Sequence, residues 1–428
     1  MRGVYVLLLI SLLGYTGRVS GQESVTITQC YEWARANYPQ IHQMGLIDQT
    51  ERYSLSNVGK AWLPQLSVSG KASYQSDVTK LSLDGDKISS LLPGFEIPSL
   101  SKDQYQVVAQ VDQTIWDGGS TRSARALTRA EAIANREQLE SELYALNDRV
   151  NQIYFGCLLQ DELIRQNALL QKELQVNIER IEAMMENGVA NQSDLESMEV
   201  ELLNARQNEI ELKASRTVYR QMLATFINKP LTDQVVLKTP ESPERSLSTQ
   251  INRPELRALD AKSEWIETQN KQVTAGLMPR IGAFVQGGYG RPGLNMLEDS
   301  FEPYYVAGVR LSWNLGKLYT LKNDRRKIEV SRRQIDVQRE TFLFNTRLQL
   351  LQQNTEIKKM TDLMRADDDI IRLRTSIKQA AEVKLENGVI SVTDLIREIN
   401  AEDMARQTAA AHRVQRLMTI YNYMYTTN

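Results

Sequence analysis

With 51 Lys and Arg against 53 Asp and Glu in 428 residues, the chain carries a net charge of -2 and has no electrostatic pull toward nucleic acid or an anionic lipid surface. Two cysteines (Cys30, Cys157) and two histidines (His42, His412) supply neither a zinc ligand set nor a disulfide framework. The two cysteines are open to one bridge in an oxidising compartment or to two separately buried thiols. A nucleophile elbow, a P-loop and a Gly-rich dinucleotide turn are all missing, so no catalytic residue, cofactor or metal site is expected and the chain does not read as an enzyme.

In chain order, Arg2, the apolar run 4–13 and the small residues Val19-Ser20-Gly21 predict a secretory signal peptide over 1–21. That run is too short to span a bilayer, and no later stretch has about 18 uncharged apolar residues. A mature chain that crosses a membrane must then do so as a β-barrel.

Prolines mark out the elements, because they leave 99–229 and 304–428 free for long helices. Pro39 and Pro254 suit the first position of a helix, and each stands 25 residues before Pro64 or Pro279. The expected helices are 39–61, 118–187, 193–228, 254–277, 317–387 and 391–425. Within the first long helix Leu143, Leu146, Val150, Ile153 and Cys157 step by three and four, as packed helices require. A 70-residue helix reaches about 105 Å. Met184, Met185, Met360 and Met364 fit that core better than they fit a soft-metal path.

Between the helices the period changes to two. Leu66, Val68, Ala72 and Tyr74 alternate with Ser67, Ser69, Lys71 and Ser73, and the pattern returns over 104–115, 280–290 and 304–314. Strands are therefore expected over about 65–77, 104–115, 280–290 and 304–314. Their aromatic ends, Tyr74, Tyr105, Tyr289 and Tyr305 on one side and Trp62, Trp116 and Trp313 on the other, suit the two interfaces of outer-membrane lipid.

All of this occurs twice. Glu186-Asn187-Gly188-Val189 with Asp194-Leu195 returns as Glu386-Asn387-Gly388-Val389 with Asp394-Leu395. The expected organisation is a first repeat over 22–228, a linker over 229–252 and a second repeat over 253–428. Four strands cannot close a barrel, and an open edge in hydrocarbon leaves unpaired backbone groups. Two copies give eight strands and a filled interior; three give twelve and a lumen, which the polar inner faces favour.

The duplicated order of Leu-Pro or Met-Pro helix end, strand pair, Trp-Asp/Asn motif, long helix, Gly-Val turn and Asp-Leu helix resembles the TolC-like outer-membrane efflux factor family. The resemblance covers about 25–425 and implies a mainly α chain with a small β part. It further implies a homotrimer whose twelve-stranded barrel in the outer membrane continues as a helical tunnel through the periplasm. The implied partners are a periplasmic adaptor and an inner-membrane transporter, and the implied role is the exit duct of a tripartite efflux or type I secretion system.

By the same resemblance Gly188, Val189, Gly388 and Val389 are adaptor-docking tips, although glycine is needed at such a turn in any case. Asp394 matches a carboxylate ring narrowing the tunnel entrance, with Asp194 and Arg397 as further entrance candidates. Asn191-x-x-Asp194 and Ser391-x-x-Asp394 equally read as capping boxes that secure helix starts. Arg397 stands where the family can carry a second aspartate, and the family's gating tyrosine and arginine fall on Leu385 and Ile390, so a gate held by that network is not expected. The alternative function is a soluble periplasmic coiled-coil adaptor or scaffold. Nothing in the sequence names the cargo.

Overall fold

A computed structural model describes residues 24–78, 100–242, 248, 250–296 and 298–428; the expected signal peptide over 1–21 lies outside the described residues. The chain is mostly helical with a small sheet part. It forms two compact units, and neither is one sequence repeat. The first joins residues up to 43 with 139–256 and 340–428, the second 44–138 with 257–339. Each unit draws on both repeats.

The first unit is helical. A short strand β1 (Ser24–Val25) leads into α1 (Ile27–Asn37), a helix the sequence analysis did not separate. Thr26 starts it through a capping box with Gln29. A single 3-10 turn, Pro39–Ile41, then stands where the expected helix was to begin, and α2 (His42–Gly59), which belongs to the second unit from Met44 on, follows it. The long helix expected over 118–187 is two helices, α3 (Ser120–Tyr144), most of which belongs to the second unit, and α4 (Leu146–Glu186). Their junction at Ala145 is loosened, its N–H reaching the Ser141 carbonyl at 3.3 Å. Helix α4 packs along α5 (Gln192–Ile227) and α8 (Val392–Thr427).

Two apolar cores hold this unit. One surrounds the fully buried Tyr154 and Phe155 with Cys30, Ala34, Val150, Cys157, Leu223 and Ile227. Here β1 pairs in parallel with β4 (Val236–Leu237), a strand inside the expected linker. The Tyr154 hydroxyl lies 2.9 Å from the Val25 carbonyl and 2.7 Å from that of Lys238, and Arg220 donates to the carbonyls of Thr232 and Val235. Buried backbone acceptors of the linker are thus paired by side chains, as a dry interior requires. Cys30 and Cys157 are both free thiols. The second core lies at the far ends of α4, α5 and α8 and is described with the site.

The second unit carries the sheet, whose order is β2-β3-β5-β6, all antiparallel. Its strands are β2 (Gln65–Tyr74), β3 (Asp103–Trp116), β5 (Arg280–Arg291) and β6 (Glu302–Ser312). Trp313 falls just past β6, where its indole N–H donates to the Leu277 carbonyl. A bulge between Thr114 and Trp116 shifts the β3 register at the helical end. Pro254 is the first residue of α6 (Pro254–Ala275), which packs through Ile266 on Ile328 and Ile335 of α7 (Lys317–Glu386). Gly118 and Gly119 take φ of +66° and +84°, so α3 begins only at Ser120. A Cβ on Gly118 would also come within 3.0 Å of the Pro279 carbonyl oxygen.

Candidate functional site

The two helical turns are built alike. Gly188 and Gly388 sit at φ of +71° and +66°. Gly188 N–H bonds the Met185 carbonyl at 2.9 Å and Val189 N–H that of Met184 at 2.8 Å; Gly388 and Val389 repeat both bonds to Leu385 and Lys384 at the same lengths. These close the last carbonyls of α4 and α7 through a left-handed residue. No atom lies within 4 Å of a Cβ placed on either glycine, so the backbone angle alone selects glycine here. Val189 and Val389 project from the turns at 57% and 69% exposure.

Beneath the turns lies the second core of the first unit. Ile178, Ile181, Met198, Leu202, Leu385, Leu395, Ile396 and Ile399 are buried together, with Met184, Met185 and Ile390 packed against them. Leu385 and Ile390 are thus filler between the two hairpins and offer no polar link there. Asp194 and Asp394 are the N3 members of complete capping boxes with Asn191 and Ser391. Hydrogen bonds from the Ser391 side chain and backbone pull the Asp394 carboxyl below its ordinary range. Arg397, one turn on, brings Nη1 to 3.4 Å from Asp394 Oδ1 and Nε to 3.2 Å from Glu398.

A buried charge cluster follows along the same helices. Glu402 is only 2% exposed. Lys378 Nζ stands 2.6 Å from Glu402 Oε2 and also pairs with Glu173; Thr375 Oγ1 donates at 2.6 Å and Arg406 Nη2 at 2.5 Å. Burial pushes the Glu402 carboxyl up, but the bonds from Lys378, Thr375 and Arg406 win and hold it at about 2. Neighbouring Asp403 accepts from Gln407, and burial with the charges of Glu173 and Glu402 raises it to about 6. The sequence reading missed this cluster. Its signal was present: Leu395, Ile399 and Glu402 step by four and three, which sets a carboxylate on an apolar stripe.

The sheet presents two unlike faces. Along one, Leu66 is opposite Val111, Val111 opposite Val285 and Val285 opposite Ala307; Val107 is opposite Tyr289, and Gly287 opposite Tyr305. The other carries Ser67, Gln110, Gln286 and Val306 in one row and Lys71 opposite Gln106 in another. In β3, Tyr105, Val107, Ala109 and Val111 are exposed while Gln104, Gln106, Gln110 and Asp112 are half-buried, the inverse of a sheet on a water-soluble core. Tyr74, Tyr105, Tyr289 and Tyr305 are exposed toward the hairpin ends, while Trp62, Trp116 and Trp313 stand exposed at the helical end. No helix among the described residues is long and apolar enough to cross a membrane.

Residues 30–229 match the family model for outer membrane efflux proteins. No curated protein matches the chain by sequence. Among solved structures, CusC, described for its transmembrane channel formation, is 15% identical with a TM-score of 0.65, the match covering 94% of this chain and 92% of that one. The CmeC outer membrane channel of Campylobacter jejuni is 11% identical at 0.64, covering 94% and 85%, and the open-state MtrE outer membrane channel of Neisseria gonorrhoeae 14% at 0.64, covering 94% and 88%. At such identities the solved structures speak for the fold, and the family match sets the soluble adaptor reading aside. Residues 30–229 thus carry the pattern of the outer membrane efflux proteins, and the chain as a whole has the fold of the solved outer membrane channels.

Proposed function

We propose that the chain is the outer-membrane exit duct of a tripartite efflux or type I secretion system, closed by three copies. One observation carries this reading: a four-stranded sheet with an apolar exposed face, a polar second face, and two edges, β2 and β6, that have no partner among the described residues. In lipid such edges must be paired. Joining β6 of one copy to β2 of the next satisfies them, and twelve strands leave room for a lumen on the polar side.

The helices give independent support. On α7, Phe344, Leu348 and Leu351 are exposed at spacings of four and three, and so are Ile370, Leu373 and Ile377 at three and four; on α5, Leu203 and Ile210 are exposed one heptad apart. Apolar stripes at this spacing suit helices of a neighbouring copy. Val189 and Val389 are the apolar points a periplasmic adaptor would grip, with an inner-membrane transporter feeding the duct through it. Asp194 and Asp394 serve first as helix caps, and Arg397 offsets the charge of Asp394, so the entrance is not a strongly selective carboxylate ring.

Fractionation with an export assay tests the proposal. Val389→Arg leaves trimers in the outer membrane and abolishes export through loss of the adaptor. Normal export by that variant removes Val389 from the docking surface; recovery of the wild-type chain as a soluble monomer removes the duct.

A further inference from the structure

The polar face of the sheet carries two aromatic residues, and each lies over a glycine on the strand beside it. Tyr304 of β6 is directly opposite Gly288 of β5, and Phe284 of β5 directly opposite Gly308 of β6. A Cβ on Gly288 would stand 2.6 Å from the Tyr304 hydroxyl oxygen and 2.7 Å from ring carbon Cε1; one on Gly308 would stand 3.1 Å from the Phe284 ring. The rings therefore occupy the space a side chain at the glycine would fill. Covering a strand glycine with a cross-strand aromatic is a known stabilising device. Here each ring is also tied from above: the Gln106 side-chain amide of β3 donates to the Tyr304 hydroxyl, and the Arg310 guanidinium stacks over Phe284 at 4.8 Å.

A tyrosine that projected straight from this face would stand across the space in front of the wall, and one folded over glycine lies along it. We infer that Gly288 and Gly308 set the bore of the duct by giving Tyr304 and Phe284 a bed in the wall, so that these glycines determine how bulky a solute passes. This rests on the closed-barrel reading, in which three copies place three such rings at one level. Any residue but glycine at 288 lifts Tyr304 off its bed, breaks its tie to Gln106 and turns the ring into the lumen.

The test reads the barrel independently of the periplasmic entrance. Ser67 lies on the same face, two residues nearer the helical end than Ser69, whose row holds Val108, Gly288 and Tyr304. In intact cells a reagent from outside must pass Tyr304 to reach a cysteine there, and the native thiols are buried. Ser67→Cys is labelled with N-ethylmaleimide and with a maleimide carrying a bulky polyethylene-glycol chain. Adding Gly288→Ala should slow the bulky reagent roughly fivefold or more and leave the small one within about twofold, and further adding Tyr304→Ala should restore the bulky rate. An unchanged bulky rate in Gly288→Ala, or a slowed rate that Tyr304→Ala does not restore, overturns the inference. Should Gly288→Ala fail to assemble, Gln106→Ala decides, a slowed bulky rate supporting it and an unchanged one refuting it. If the bulky reagent never labels Ser67→Cys in the otherwise unaltered protein, the barrel reading fails and takes this inference with it.

Discussion

Placing arginine at two adjacent positions of β5 separates a lipid-facing side chain from a lumen-facing one. Val285 is exposed at mid-strand between Val111 and Ala307, and Gln286 points the other way between Gln110 and Val306. An arginine at the midplane on the lipid face of a barrel costs about 2–4 kcal/mol, so three copies of Val285→Arg cost about 6–12 kcal/mol per trimer. That is comparable with the whole stability of an ordinary domain. Gln286→Arg meets water in the lumen beside the polar Gln110, so its cost should stay within about 1 kcal/mol. Both variants are expressed at matched levels, and the trimer fraction in outer-membrane extracts is read by unheated electrophoresis. Val285→Arg should lose nearly all trimer while Gln286→Arg keeps it. Equal yields, or the reverse order, would refute the assignment of the two faces.

Five further outcomes follow from the helical unit. Lys378→Met strands the buried Glu402 carboxylate and should cost about 3 kcal/mol, read as a lowered unfolding midpoint in denaturant, with most of the loss recovered in Lys378→Met/Glu402→Leu. Glu402 is held at about 2 in the folded chain, so the stability it contributes is complete above the ordinary glutamate range and drains away as pH falls through that range toward 2. Asp403 has the opposite sign: raised to about 6, it costs nothing below the ordinary aspartate range and its penalty is complete above 6, so Asp403→Asn should raise the melting temperature at pH 8 and leave it unchanged at pH 3. Gly188→Ala and Gly388→Ala each force a Cβ into a left-handed turn with free space around it, so each should lower stability by about 1–2 kcal/mol with helix content intact by circular dichroism; a larger loss would mean packing that the turn does not have. Burial pushes the thiols of Cys30 and Cys157 up to about 12, so neither should react with maleimide at pH 8 until the protein is denatured, and rapid native labelling would contradict the packing of this core.

What could be read from sequence alone was whatever repeats or alternates. The strands announced themselves because the period changed to two with an inverted outcome, apolar residues such as Val68 and Val285 facing out. The turns announced themselves because Gly188 and Gly388 stand in the same words 200 residues apart. Features that depend on partners distant in the chain stayed hidden. Helix α1 has only 11 residues and is fixed by contacts with α4 and α5, and the Ala145 break follows from no proline or glycine. Strand β4 has two residues, lies in the linker, and exists because β1 at the start of the first repeat pairs with it. Glu402 stands on an apolar stripe that the sequence displays, but the Lys378 that neutralises it comes from another helix, α7. The beds under Tyr304 and Phe284 were invisible for the same reason, since a glycine gives no hint of what lies over it until the strand register is known.

Native mass spectrometry of the complex extracted from the outer membrane in mild detergent tests the central claim most directly. Closure of the β2 and β6 edges between copies predicts a single species of three chains that resists dissociation until the strands melt. A species of one chain, or of two, would leave a four-stranded or eight-stranded sheet and contradict the duct.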